Sequence, residues 1–115
     1  MALETVEDYV DEARVLLQDK VTPYRYADEE LLSGLNLAFL EARRLRPDLF
    51  LSNPSSVPSY AAVDDTDVDI DQQYRLALLY YICGNAHLRD EEDTSDARAS
   101  AFLQKFTAQL LTITS

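Results

Sequence analysis

The side chains able to do chemistry are few and scattered. The single histidine, His87, follows the single cysteine, Cys83, by four residues, one helical turn away. Such a pair could act as nucleophile and base, but a reactive thiol needs a helix N-terminus or a cationic neighbour to lower its pKa. Cys83 lies in the most apolar stretch of the chain, so the pair reads as a packed thiol beside a polar histidine near a helix end. Two ligands also fall short of the three or four that zinc takes. Asp65, Asp67 and Asp69 alternate like the opening of a calcium loop. Counting from Asp65, the sixth residue is Ile70 where that loop needs Gly, and the twelfth is Leu76 where it needs a bidentate Glu. Acids leading into a helix N-terminus, where negative charge is favoured, account for the run; a weak calcium-tuned module is the lesser alternative. Glu91 and Glu92 have no apolar surroundings to tune a general acid. With only Gly34 and Gly84, a Gly-rich phosphate loop cannot form. Nucleophile, base and anion hole do not come together, so the expectation is a non-enzyme with no catalytic residue, metal or cofactor.

The elements that carry these residues read as four helices, with no convincing strand alternation. In the first, Val6, Tyr9, Val10, Ala13, Leu16 and Leu17 recur at helical steps after Thr5, a good N-cap, and the helix stops near Asp19 ahead of Pro23. The second opens at Asp28, read as its N-cap, and runs along Leu31, Leu35, Ala38, Ala42 and Leu45 to Pro47. Residues 48–68 read as a long connection, rich in Pro, Ser and Asp, within which an extended arm or short strand cannot be placed. The third helix is expected from Asp69, with Gln72 as its capping-box partner. Its middle, with Leu76, Leu79, Tyr80 and Cys83 added to the face of Tyr74, Ala77, Leu78, Tyr81 and Ile82, is apolar all round. Such a helix is either central or covered by another subunit, and a subunit contact is the favoured expectation. Thr94 or Ser95 caps a fourth helix with a stripe of Ala99, Phe102, Leu103, Phe106, Leu110 and Ile113. The fold expected is one all-α domain over 1–115, bundle-like, with a long connection (51–68) between helices 2 and 3.

Composition excludes several classes. Of 115 residues, 21 are Asp or Glu and 10 Lys or Arg, a formal net charge of −11. A phosphate-backbone binder needs a basic patch, and the one basic cluster, Arg43, Arg44 and Arg46, falls in a helix's last turn, where cations suit the carbonyl ends. The seven tyrosines therefore read as amphipathic contact residues and not as a base-stacking platform. The longest apolar run, Leu76 to Cys83, is too short to cross a bilayer, and the acidic start Met1-Ala2-Leu3-Glu4 does not look like a signal peptide. No membrane partner is expected, and a lone cysteine suits a reducing compartment.

Several runs of residues carry a resemblance. They are Thr5-Val6-Glu7-Asp8-Tyr9-Val10, Ala13-Arg14, Leu16-Leu17, Asp19, Tyr24-Arg25-Tyr26, Asp28-Glu29-Glu30-Leu31-Leu32, Leu35-Asn36, Glu41-Ala42 and Arg46-Pro47-Asp48. Tyr74, Ala77-Leu78, Tyr81, Leu88-Arg89-Asp90 and Ala97-Arg98-Ala99 before Phe102 and Phe106 continue it. Together they resemble the small helical head–tail adaptor (connector, head-completion) proteins of tailed bacteriophages. The resemblance implies a virion protein, made in the host bacterial cytoplasm, that forms a homo-oligomeric ring, dodecameric in expectation, at the capsid vertex. Such a ring docks on the portal protein, extends a channel that DNA passes through without specific binding, and offers a platform to tail or nozzle proteins. It implies partner contacts for Leu51, Val57, Tyr60 and Val63 in the connection. Docking against the portal is implied for Phe102, Phe106, Leu110, Leu111 and Ile113 in the last helix. Leu79 and Tyr80 of the all-round apolar third helix are candidates for a side-to-side surface, since a closed ring needs two different ones. The alternative is an acidic DNA mimic that inhibits a DNA-processing enzyme, which requires carboxylates along one extended face; here they bunch in turns and helix starts.

Overall fold

Thr5 sets the start of the first helix. Its hydroxyl accepts from the Asp8 N–H while the Asp8 carboxylate accepts from the Thr5 N–H, a reciprocal capping box that begins α1 (Val6–Leu17). The helix ends on Gln18 in the left-handed region (φ 58°). The Gln18 and Asp19 N–H groups turn back to the Val15 and Arg14 carbonyls, the geometry usually given to glycine. The computed structural model describes residues 3–19, 26–50, 59–68, 70, 72–89 and 96–112. Within them the chain is all-α: α2 (Asp28–Leu45), α3 (Arg75–Arg89) and α4 (Asp96–Thr112) follow α1, with single 3-10 turns at Pro47–Phe50 and Gln72–Tyr74.

Three expectations about boundaries change. Asp28 is not the cap of α2 but its first residue, its carboxylate engaged by Arg14; Ala27, whose methyl carries no acceptor, holds the cap position without a side-chain bond. The third α-helix begins at Arg75, behind a 3-10 turn; Asp69 lies outside the described residues. Part of the 48–68 connection is ordered against the helices. The Val6 and Glu7 N–H groups, two of the free donors of the first turn of α1, donate to the Thr66 and Asp64 carbonyls, both at 3.0 Å. The Val68 N–H donates to the Glu4 carbonyl at 2.8 Å, and Thr5 and Asp67 form an isolated antiparallel bridge. Asn36 of α2 binds Tyr60 through both of that residue's backbone groups, at 2.8 and 2.9 Å.

α3 is the centre of the molecule. It packs most extensively on α4, then on α2 and α1. That position explains most of its apolar circumference: Ala77, Leu78, Leu79, Ile82, Cys83, Ala86 and His87 are all buried, against different neighbours within one chain, whereas Leu76 is 39 % exposed and faces solvent. The favoured expectation, that another subunit covers the middle of α3, is therefore corrected for Leu79 and Cys83. Close approach of α3 and α4 depends on Gly84, where a Cβ would lie 2.8 Å from two Leu103 side-chain carbons and 3.2 Å from the Ala99 carbonyl. Gly34 faces Ile82 more loosely, with no atom nearer than 3.4 Å.

Candidate interaction surface

The residues with chemical potential are placed for structure. Cys83 is wholly buried, its Sγ 3.9 Å from the Ala13 carbonyl. His87 is also buried; its ring stacks on Phe102 at 5.8 Å and meets Tyr26 edge-on at 6.5 Å. Asp64, Asp65 and Asp67 are exposed, and Thr66 donates to the Asp64 carboxylate through its hydroxyl and then its N–H, which together hold that carboxyl below the usual range. Among the described residues no group of three or more acidic, histidine or cysteine side chains is arranged to hold a metal. Asp71, Glu91 and Glu92 lie outside the described residues.

The joint between α1 and α2 holds the densest polar network. Arg14, only 5 % exposed, donates at 2.9 Å to the Asp19 carboxylate, at 2.9 Å to the Tyr26 carbonyl, and also to the Asp28 carboxylate. The Tyr26 N–H donates to the same Asp19 oxygen at 3.0 Å. A buried guanidinium is tolerable only with this degree of pairing. Under the 59–68 segment sits a different case: the Tyr9 hydroxyl, wholly buried and without a hydrogen-bond partner among the described residues, its pKa pushed well up by burial.

Arg44 and Arg46 of the basic cluster make pairings within the chain. Arg44 binds Glu41 through Nε and a terminal nitrogen, which raises its pKa. Arg46 forks onto Asp48, donates to the Leu110 carbonyl at 2.8 Å near the end of α4, and lies 5.7 Å over the Tyr74 ring. These pairings fit a helix-end role better than a phosphate clamp.

The residues expected to face partners separate into four groups. Phe106 and Leu110, with Leu79 and Phe102, are at most 9 % exposed and form part of the chain's own core, so their assignment to a partner surface is corrected. The α4 stripe is covered by α3 of the same chain. Tyr60 and Val63 are partly buried, and Tyr60 packs on Phe39 at 6.0 Å. Tyr80 is half-buried, with Phe102 at 6.2 Å and the Lys105 ammonium 5.4 Å over its ring. Leu111 is 46 % exposed and is the member of the set that faces solvent. Leu51, Val57 and Ile113 lie outside the described residues.

Three exposed apolar side chains escaped the sequence reading: Val15 on α1 and Leu37 and Leu40 on α2. The signal was present, since Leu37 and Leu40 fall off the stripe of Leu31, Leu35, Ala38 and Ala42. A groove of about 320 Å³ opens between α2, α3 and α4, lined by Glu41, Arg44, Tyr81, Asn85, Leu103 and Phe106 among others. The Tyr81 hydroxyl there has its pKa raised by burial and by Glu41. This region, with the outer face of α1, is the candidate interaction surface. No helix among the described residues is long and apolar enough to cross a membrane. Comparison of the chain with protein-family models, curated proteins and solved structures finds no match.

Proposed function

We propose that the protein is a head–tail adaptor of a tailed bacteriophage. In this reading it is a bundle-like helical domain, with residues 51–68 as its connecting arm, that assembles as a dodecameric ring below the portal. The ring extends the DNA channel and receives tail or nozzle proteins; the protein is a virion component and not an enzyme. The observation that carries the reading is the joint between α1 and α2. Arg14, Asp19, Tyr26 and Asp28, spread over the runs on which the resemblance rests, converge into one buried network. Spacings shared with a family for structural reasons are expected to behave this way. Two further features support it. Exposed apolar side chains occur on α1, α2 and α4, as an assembly with more than one contact surface requires. The formal net charge of −11 suits a channel that must not bind DNA, because like charges repel a passing phosphate backbone.

The test is to mix the full chain with portal-bearing, DNA-filled heads and image the vertex by electron microscopy. A ring of added density under the portal is expected. A portal vertex that stays bare, together with absence of the protein from mature particles, overturns the proposal.

A further inference from the structure

The outer faces of α1 and α2 differ in charge and match in spacing. On α1, Val15 is 43 % exposed, and Asp11, one turn earlier, is exposed as well. The one cation of that helix, Arg14, is turned inward. On α2, Leu40 is 53 % and Leu37 36 % exposed. Arg44, one turn after Leu40, keeps a side chain 67 % exposed even though Glu41 occupies its Nε and one terminal nitrogen. Residues four apart are neighbours on a helix face and are separated by about 6 Å along the axis. One face therefore carries an apolar side chain with a carboxylate one turn toward its N-terminus. The other carries apolar side chains with a guanidinium one turn toward its C-terminus. Laid antiparallel, Val15 reaches Leu40 in the same register that brings Asp11 to Arg44. Laid parallel, Asp11 falls beside Asn36 and the charge pairing is lost.

We propose that the outer face of α1 in one copy docks antiparallel on the outer face of α2 in the next, Val15 against Leu37 and Leu40, Asp11 against Arg44. The proposal rests on the ring reading and names the surfaces through which the ring closes. The contact is heterologous: each copy keeps one free face of each kind, so the chain of contacts continues until rotation closes it. Pairing α1 with α1 instead would oppose two carboxylate-rich faces.

Buried Cys83 leaves engineered surface cysteines as the reporters of contact. Full-length Val15→Cys, Leu40→Cys and the double variant are oxidised in concentrated solution and after assembly on portal-bearing heads. The double variant is expected to give a ladder of dimer, trimer and higher species. An equal mixture of the two single variants is expected to stop at dimer, and each single variant alone to remain uncross-linked. Adding Asp11→Lys to the double variant abolishes the ladder, and adding Arg44→Glu as well restores it. Dimers from one single variant alone overturn the pairing by revealing a two-fold contact. A ring imaged on particles without any ladder overturns the pairing and leaves the adaptor reading standing. A ladder without a ring on the particle keeps the pairing and removes the adaptor reading, and absence of both overturns both.

Discussion

Arg14→Met removes the cation from the α1–α2 joint while keeping most of the side chain's apolar bulk. The loss has three parts. The bond to Asp28 contributes least, because that carboxylate is 58 % exposed and an exposed pair is worth about 0–1 kcal/mol. The Tyr26 carbonyl loses a charge-assisted donor. The largest part comes from Asp19, whose side chain is 6 % exposed and loses its buried cationic partner. Removing one member of a buried pair costs about 3–5 kcal/mol, a large share of the roughly 5–15 kcal/mol that stabilises a domain. Urea unfolding followed by circular dichroism measures it, and the midpoint is expected to fall without a change of slope. Arg14→Met with Asp19→Leu is expected to recover most of the loss, because no buried charge is then left unpaired and the Asp28 carboxylate is 58 % exposed. A single-variant loss below about 1 kcal/mol would refute the claim that this network ties α1 to α2.

Other consequences are as direct. Tyr9→Phe deletes a buried hydroxyl with no partner among the described residues, so stability should be unchanged or rise by about 1 kcal/mol; a loss larger than that on thermal unfolding would reveal a bond to that hydroxyl. Gly84→Ala should lose about 1–2 kcal/mol, since overpacking against Leu103 and the Ala99 carbonyl outweighs the gain in helix propensity, whereas Gly34→Ala should be neutral or gain up to about 1 kcal/mol. Reversed signs in the same unfolding experiment would contradict the α3–α4 packing described. The Glu4 and then the Thr5 N–H groups, which donate to the Asp8 carboxylate, hold its pKa below the ordinary 3.8. Its stabilisation is present above that value and is lost as pH falls through the lower folded one. Asp8→Asn should flatten this acid limb of a stability–pH curve, and an unaltered limb would show that the capping box does not contribute.

Side chains that act locally were legible in the sequence. Thr5 announces α1 because a cap works within one turn, and the apolar stripes give all four helices because a buried face repeats every 3.6 residues. Asp28 was misplaced because an acid at a helix start can cap that helix or meet a distant cation. The choice belongs to Arg14, fourteen residues away. The pairing of 64–68 with 4–7 runs through backbone groups, which every residue carries, so side-chain types do not signal it. Phe106 and Leu110 show a further limit. A stripe states that a face is covered, not whether the same chain or another covers it, and here α3 does. By contrast, Leu37 and Leu40 could have been found from sequence by asking which leucines of α2 fall off its stripe.

The central claim concerns where this chain sits in an infectious particle. The most direct measurement is rotationally averaged imaging of tail-bearing particles in which the chain carries a visible label. Label density in a symmetric ring between portal and tail is the outcome predicted. Particles with complete tails and no label at that junction would contradict it.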